Sequence, residues 1–221
     1  MGVSRITRFG FVNAYLVTEE DGFTLVDTML PRSARKILQT AARTGRPIVR
    51  IVLTHAHVDN IGSLDELAAA LPGAEVIVGE REARLLHKDR SLEPNEPQIP
   101  LKGGYPGAKT VPTRTVTPGE RIGSLEVVAA PGHTPGQIAL LDTRDRTLIC
   151  GDAFSTLGGV ETSARPNWRF PLPALATWDR PTALATARAL RALEPSRLAP
   201  GHGKIVHEPA AAMDAAIARA S

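Results

Sequence analysis

The chain has 221 residues, of which 43% are hydrophobic and 22% charged, so it contains enough apolar side chains for a large core. Lysine and arginine exceed aspartate and glutamate by only 26 to 23, and aromatic residues make up 4%. Because nucleic-acid-binding proteins more often have a basic stripe with interleaved aromatic residues, this scattered charge argues against a nucleic-acid partner.

The single cysteine, Cys150, excludes an intramolecular disulfide and is compatible with a reducing compartment. It ends an apolar run over 147–150, so we interpret it as a packed strand residue rather than a nucleophile. The first residues lack the apolar stretch of a signal peptide, and no run approaches the length of a membrane span. We therefore expect a cytoplasmic protein without a membrane partner.

In the first half of the chain, hydrophobic patterns predict a hairpin of two strands over 11–17 and 23–27, joined by a polar turn. The next predicted elements are a helix over 33–43, a strand over 48–53, a helix over 63–71, a strand over 75–78 and a helix over 80–87. Ser63 with Glu66 three residues later is typical of a capping box at the start of the second helix.

Three polar residues, His55, His57 and Asp59, follow the buried strand over 48–53 in a short connection. Such a connection can aim all three side chains at one point, and imidazole and carboxylate are usual ligands of zinc and similar divalent ions. The pattern therefore indicates a metal site, although two loop histidines can also be ordinary surface residues. His87 lies outside every motif and is expected at the surface.

The second half is predicted to contain strands over 125–129, 137–142, 147–150 and 197–199, with helices over 181–193 and 210–220. Two segments, 89–112 and 155–177, are irregular and rich in proline. The first is a candidate lid on the substrate side or a loop that only crosses the surface. In the second, Trp168 and Phe170 either form the wall of a binding pocket or pack under their own loop.

The stretch from Thr54 to Asp59 resembles the Thr-His-x-His-x-Asp-His motif of the metallo-β-lactamase superfamily. His133, Asp152 and His202 stand at the other positions that the family needs, in the family's order. Strands and helices without a regular βαβ repeat already favour layered sheets with helices outside. The resemblance implies the α+β fold of this family, a four-layer αβ/βα sandwich, formed here by a single domain over 1–221.

The resemblance also implies how the ligands are shared between two metal ions. It assigns His55, His57 and His133 to the first ion, Asp59 and His202 to the second, and Asp152 to both. Asn60 departs from the family, which usually has a histidine there, so we expect a weakened second site and treat Asn60 as a doubtful ligand. Zinc is the expected metal, with one or two ions bound, and iron or manganese stay open.

Asp27 matches a family aspartate that supports the loop carrying His55, His57 and Asp59 without binding the metal, but it could equally cap the helix that follows.

Three neutral imidazoles leave room on a divalent ion for water, whose pKa can fall to about 7. The hydroxide would attack a carbonyl carbon. Asp59 would orient it or carry a proton to the leaving group, and Asp59 and His202 are therefore the candidate catalytic residues.

Several branches of the family are disfavoured by what the sequence lacks. Only 19 residues follow His202, too few for the glutathione-binding extension of glyoxalase II, and Phe154 stands where lactonases often have a tyrosine. The expectation is a small glyoxalase II-like or lactonase-like hydrolase that acts on an ester, thioester, lactone or amide of a small molecule. A mononuclear iron enzyme resembling persulfide dioxygenases and a catalytically idle binding protein are the alternatives. The oligomeric state is not predicted.

Overall fold

The computed structural model describes residues 2–221, and its first six strands form one mixed sheet. In chain order these strands are β1 (Val3–Arg8), β2 (Val12–Thr18), β3 (Phe23–Val26), β4 (Ile48–Leu53), β5 (Glu75–Gly79) and β6 (Arg114–Val116). They lie side by side in that order, antiparallel from β1 to β3 and parallel from β3 to β6. The carboxyl ends of the parallel strands therefore meet at one edge.

The later strands form a second six-stranded sheet and a small hairpin. They are β7 (Arg121–Ile122), β8 (Leu125–Ala129), β9 (Ile138–Asp142), β10 (Thr147–Gly151), β11 (Phe154–Ser155), β12 (Glu161–Thr162), β13 (Arg197–Pro200) and β14 (Val206–His207). The second sheet has the order β14-β13-β10-β9-β8-β7, with β10 and β13 parallel, and β11 pairs with β12.

Helices cover the outer faces of both sheets. They are α1 (Ala34–Ala42), α2 (Val58–Ile61), α3 (Leu64–Ala70), α4 (Glu80–Leu86), α5 (Leu172–Ala176), α6 (Arg180–Ala192) and α7 (Ala210–Ala220). No helix in the described residues 2–221 is long and apolar enough to cross a membrane.

Side chains alternate between two apolar layers along each central strand, as the period of a strand requires. In β2, Leu16 packs toward α1 and α3, whereas Tyr15 and Val17 pack into a layer shared with the second sheet. A third layer, which includes Leu148, lies between the second sheet and helices α6 and α7. The four-layer αβ/βα sandwich is confirmed. The single domain over 1–221 stays a prediction, which the shared middle layer supports.

Most predicted elements are present, with ends that differ by one or two residues. The capping box is wrong: the Ser63 hydroxyl does not cap α3 but donates to Leu30 O and accepts from Ser33 N. The sequence analysis missed β1, whose side chains are mostly half-buried because it lies at the sheet edge. The segment over 155–177 is also less irregular than predicted: it contains β12, α5 and the last residue of β11.

The two halves of the sandwich are tied together by a buried carboxylate on α4. Glu82 Oε1 accepts a hydrogen bond from Ala56 N (2.8 Å), in the loop after β4. Its Oε2 accepts from Thr134 Oγ1 (2.9 Å) and Gly136 N (3.1 Å), in the loop after β8. Burial raises the pKa of Glu82 from 4.5 to about 7, although these hydrogen bonds oppose the shift.

We expect Glu82→Gln to lower the free energy of unfolding by about 1–3 kcal/mol at about pH 5. The amide nitrogen of glutamine cannot accept, so one of the two backbone N–H groups loses its partner in the interior. Urea unfolding measures the loss, and Glu80→Gln, an exposed position on the same helix, is the control.

The difference between wild type and Glu82→Gln should also depend on pH. Because the pKa of Glu82 is higher in the folded than in the unfolded chain, its contribution to stability is present at low pH. That contribution is lost as the pH rises through about 7. The difference should therefore narrow between about pH 5 and pH 8. A difference in the free energy of unfolding that grows with pH would contradict this role of Glu82. So would a difference no larger than the one that Glu80→Gln produces.

Candidate metal centre

The six predicted ligands lie at one edge of the sandwich, each just after the carboxyl end of a strand. His55, His57 and Asp59 follow β4, and the remaining three residues follow β8, β10 and β13: His133, Asp152 and His202. The structure brings them together as two groups, His55 with His57 and His133, and Asp59 with Asp152 and His202. Within each group one nitrogen or oxygen atom per residue lies within 4.8 Å of the others.

The orientation of His55 is set by a chain of hydrogen bonds that begins at Asp27. Thr54 donates its hydroxyl proton to Asp27 Oδ2 (2.8 Å), so that hydroxyl can only accept from His55 Nδ1 (3.1 Å). His55 Nδ1 therefore carries the proton, and Nε2 presents a lone pair. His55 Nε2 is buried and has no hydrogen-bond partner among the described residues.

Hydrogen-bond partners also fix the protons of the other two imidazoles of the first group. The Thr177 hydroxyl donates to Pro173 O (2.8 Å) and so accepts from His133 Nδ1 (3.0 Å), which leaves a lone pair on His133 Nε2. The carbonyl oxygen of Lys102 accepts from His57 Nε2 (3.1 Å), which leaves a lone pair on His57 Nδ1. These two lone-pair nitrogens are 3.0 Å apart.

This arrangement fits a divalent cation. Burial lowers the pKa values of His55 and His57 and lowers that of His133 to about 3, so all three rings are neutral near pH 7. Two unprotonated nitrogens 3.0 Å apart repel each other unless a cation lies beside both. A buried His55 Nε2 without a partner completes a set of three nitrogen donors, the usual ligands of zinc or iron.

The second group is richer in oxygen and negative charge. His202 Nε2 lies 3.1 Å from Asp59 Oδ2 and 3.1 Å from Asp152 Oδ2. Burial lowers the pKa of His202, but the two carboxylates outweigh this effect and raise it to about 10. Burial raises the pKa of Asp152, but the neighbouring histidines, above all His202, hold it well below its usual range. Asp152 Oδ1 is buried without a partner in the described chain, which also fits a cation.

Asp27 supports the metal loop and does not cap a helix. Its carboxylate accepts from Thr54 N (2.8 Å), from Thr54 Oγ1 and from Asn60 Nδ2 (3.0 Å), whereas Ser33 is the N-cap of α1. Burial raises the pKa of Asp27 to about 7. The side chain of Asn60 is therefore engaged with Asp27 through its nitrogen. Its Oδ1 is buried and has no partner in the described residues.

Three groups that hold the predicted ligands or their loops were not predicted from the sequence. Thr177 and the carbonyl of Lys102 come from irregular segments, and no pattern marks them. Glu82 left a signal: it shares its helix face with Leu85 and Leu86, so an acidic residue stands at a buried position. The remaining histidines, His87 and His207, are exposed and away from the centre.

Part of the segment over 89–112 packs against the back of His57. The Tyr105 ring lies 4.6 Å from the His57 ring, and Val58 N donates to Gly104 O (3.0 Å). Gly103 has a φ of +88°, and a Cβ there would collide with the His57 ring, so glycine is required at this close approach. The segment thus supports a predicted ligand, and among the described residues it contributes none to the wall of the adjoining cavity.

A cavity of about 300 Å³ opens onto the centre. Its lining contains all of the predicted ligands except His55 and is otherwise apolar. Trp168 does not form its wall, because the side chain is 84% exposed. Phe170 is buried, and its ring lies 5.1 Å from the His202 ring.

Comparisons with known proteins agree with this geometry. An uncharacterised protein of Bacillus subtilis (strain 168), YobT, is 48% identical over 210 residues, which cover 95% of this chain and 90% of that protein. A probable metallo-hydrolase of the same organism, YflN, is 28% identical over 86% of this chain and 80% of its own length. A hydroxyacylglutathione hydrolase of Gloeobacter violaceus is 32% identical over 64% of this chain, but the match covers 49% of that enzyme.

A solved structure of TTHA1623 in a di-iron-bound form matches 95% of this chain and 96% of that chain. The TM-score is 0.67 and the sequence identity 25%. The family model described as the metallo-beta-lactamase superfamily matches residues 7–202, a range that contains every predicted ligand. The chain belongs to the metallo-beta-lactamase superfamily.

Proposed function

We propose that the protein is a metal-dependent hydrolase that cleaves an ester, thioester, lactone or amide of a small molecule. One observation carries this proposal: three neutral imidazoles present unprotonated nitrogens to one buried point beside an open cavity. Membership of the superfamily and the names of two relatives, a probable metallo-hydrolase and a hydroxyacylglutathione hydrolase, support it.

The first ion would be held by His55 through Nε2, His57 through Nδ1 and His133 through Nε2. Asp59 and His202 would hold a second ion, with Asp152 shared between the two. When bound, the ion supplies Lewis acidity, which polarises a substrate carbonyl and makes water acidic enough to react near neutral pH. Zinc suits the nitrogen-rich group, and the carboxylates also suit iron or manganese.

The chain's own residues would orient the reactants and move the proton. Asp59 has a side chain that is 25% exposed, whereas those of His133, Asp152 and His202 are at most 6% exposed. Its carboxylate is therefore best placed to orient a water molecule from the cavity and to pass its proton to the leaving group. His202 Nε2, at 3.1 Å, holds Asp59 Oδ2 in place.

Replacement of a first-group histidine should abolish metal binding. We expect His57→Ala or His133→Ala, purified without added metal, to lose nearly all bound ion and any hydrolase activity, because each removes one of three nitrogen donors. Elemental analysis per chain measures this, and His87→Ala, at an exposed histidine, is the control. Full metal content in either variant would contradict the assignment. One iron per chain, with sulfite formed from glutathione persulfide, would favour the oxidoreductase alternative.

Thr177→Val tests whether the hydrogen bond to His133 Nδ1 matters for the metal. The variant keeps the shape of the side chain but cannot accept the proton, so metal affinity should fall by about 10–100-fold. Thr147→Val is a matched control, because the Thr147 hydroxyl is buried and makes no hydrogen bond among the described residues. Metal titration against a competing chelator gives both affinities. Equal affinities for the two variants would show that Thr177 does not orient the ligand.

The Asn60→His variant tests the second ion. A histidine adds a nitrogen donor where the family usually has one, so in a metal titration the affinity of the second site should rise by at least about tenfold, and its occupancy with it. It also removes the hydrogen bond from Asn60 to Asp27 (3.0 Å) and should lower the melting temperature. Asn60→Ala removes that bond without adding a ligand and separates the two effects. A wild-type protein that already binds two ions tightly would refute the weakened second site.

A further inference from the structure

The cavity beside the metal centre is lined by two chemically distinct kinds of residue. Each polar residue in its lining is one of the predicted metal ligands. The rest of the lining is apolar and is formed mainly by Phe11, Leu30, Val58, Leu172, Pro173 and Ala176. A molecule in this cavity would therefore meet both the reactive groups and an apolar surface.

The apolar wall offers no partner for a charged group. Within the described residues, the lining of this cavity contains no lysine or arginine side chain. A carboxylate or phosphate turned toward Leu172 and Ala176 would lose part of its water without gaining a counter-ion from the lining, which disfavours its binding. An ammonium group turned the same way would meet the same cost. The wall therefore favours an uncharged, apolar part of a substrate.

The size of the cavity limits that part to a short chain. Its volume of about 300 Å³ lies at the lower end of the range for small-molecule pockets. The Phe11 ring packs edge-on against Phe170 at 5.6 Å, and the Phe170 ring lies 5.1 Å from the His202 ring, so aromatic contacts back this part of the lining. Leu172 leaves 57% of its surface exposed and would be covered by an apolar chain.

We propose that the site takes small, uncharged acyl compounds whose apolar acyl chain lies against the α5 wall, formed by Leu172, Pro173 and Ala176. This proposal rests on the proposed hydrolase function and names its substrate class. The oxygen of water forms a bond to the acyl carbon, the bond from that carbon to oxygen, sulfur or nitrogen breaks, and the leaving group takes a proton. The products are a short carboxylic acid and an alcohol, thiol or amine.

Hydrolysis by the metal-loaded protein provides the first test. The probes are S-ethyl thioesters from acetyl to hexanoyl, with release of ethanethiol as the signal. The value of kcat/KM should rise by about fourfold per added methylene until the cavity is filled. The S-ethyl monothioester of glutaric acid, similar in length to the hexanoyl compound but with a terminal carboxylate, should react at least tenfold more slowly.

Two leucines on the same helix provide a matched pair of variants. Leu172 and Leu175 are both 57% exposed, but only Leu172 belongs to the lining of this cavity. Leu172→Ala should reduce the increase in kcat/KM per added methylene to about twofold or less, and Leu175→Ala should leave that increase unchanged. Ala176→Phe should shorten the longest chain that still improves the rate. Melting temperatures near that of wild type show that all three variants are folded.

Binding of methyl ketones, from butan-2-one to octan-2-one, separates this proposal from the proposed function, because ketones bind but cannot be hydrolysed. Calorimetry with the metal-loaded protein should show an affinity that rises with chain length and a smaller rise in Leu172→Ala. If ketones bind in this way but no thioester reacts, the hydrolase function fails and the apolar acyl site stands. Three results would overturn the acyl site. They are ketone affinities that do not change with chain length, the same dependence of kcat/KM on chain length in Leu172→Ala and Leu175→Ala, and faster cleavage of the glutaryl than of the hexanoyl compound.

Discussion

Three unprotonated imidazole nitrogens meet in the interior, and much of the surrounding structure serves to hold them there. Each of these nitrogens has a free lone pair because the other nitrogen of its ring donates a hydrogen bond to an oxygen. The accepting oxygens are Thr54 Oγ1, Lys102 O and Thr177 Oγ1. Without a cation, the pair separated by 3.0 Å is repulsive. The chain tolerates this repulsion because rigid elements on several sides prevent the rings from turning away.

Two buried carboxylates provide much of that rigidity. Asp27 holds Thr54 and Asn60, and Glu82 joins the loop that contains Ala56 to the loop that contains His133. Burial raises the pKa of each carboxylate to about 7, which shows that their positions are unfavourable for a charge. Their hydrogen bonds to backbone N–H groups offset part of this cost and join the ligand loops to neighbouring segments.

The same short segment forms the wall of the cavity and orients a predicted ligand. Helix α5 presents Leu172, Pro173 and Ala176 to the cavity. Thr177, directly after the helix, accepts a hydrogen bond from His133 Nδ1. The next residue, Trp178, donates from its backbone to His133 O and from its ring to Ile99 O. A compound that binds against the wall would therefore rest on an element that is mechanically linked to the metal centre.

The sequence alone determined which residues meet and in which kind of fold. The motif around His55 and His57 predicted a family whose sandwich architecture the structure confirms. The later motif residues that supported this prediction are His133, Asp152 and His202. Periodicity also predicted most strands and helices, because a strand buried on both faces needs a continuous apolar run. The capping box at Ser63 failed because a tertiary contact to Leu30 and Ser33 took the hydroxyl that the local pattern assigned to the helix.

Only the tertiary structure decided the protonation of the rings, the role of Asp27 and the chemistry of the cavity. Lys102 and Thr177 lie 45 and 44 residues from the histidines they orient, and neither belongs to a periodic element. Asp27 could cap a helix or support Thr54 as far as the local sequence shows, and the choice depends on how β3 and β4 pair. The apolar wall likewise exists only because Phe11 and Leu172, which are far apart in the sequence, line the same cavity. Hydrophobic patterns report which side chains are buried, whereas hydrogen-bond direction and cavity shape arise from contacts between distant segments.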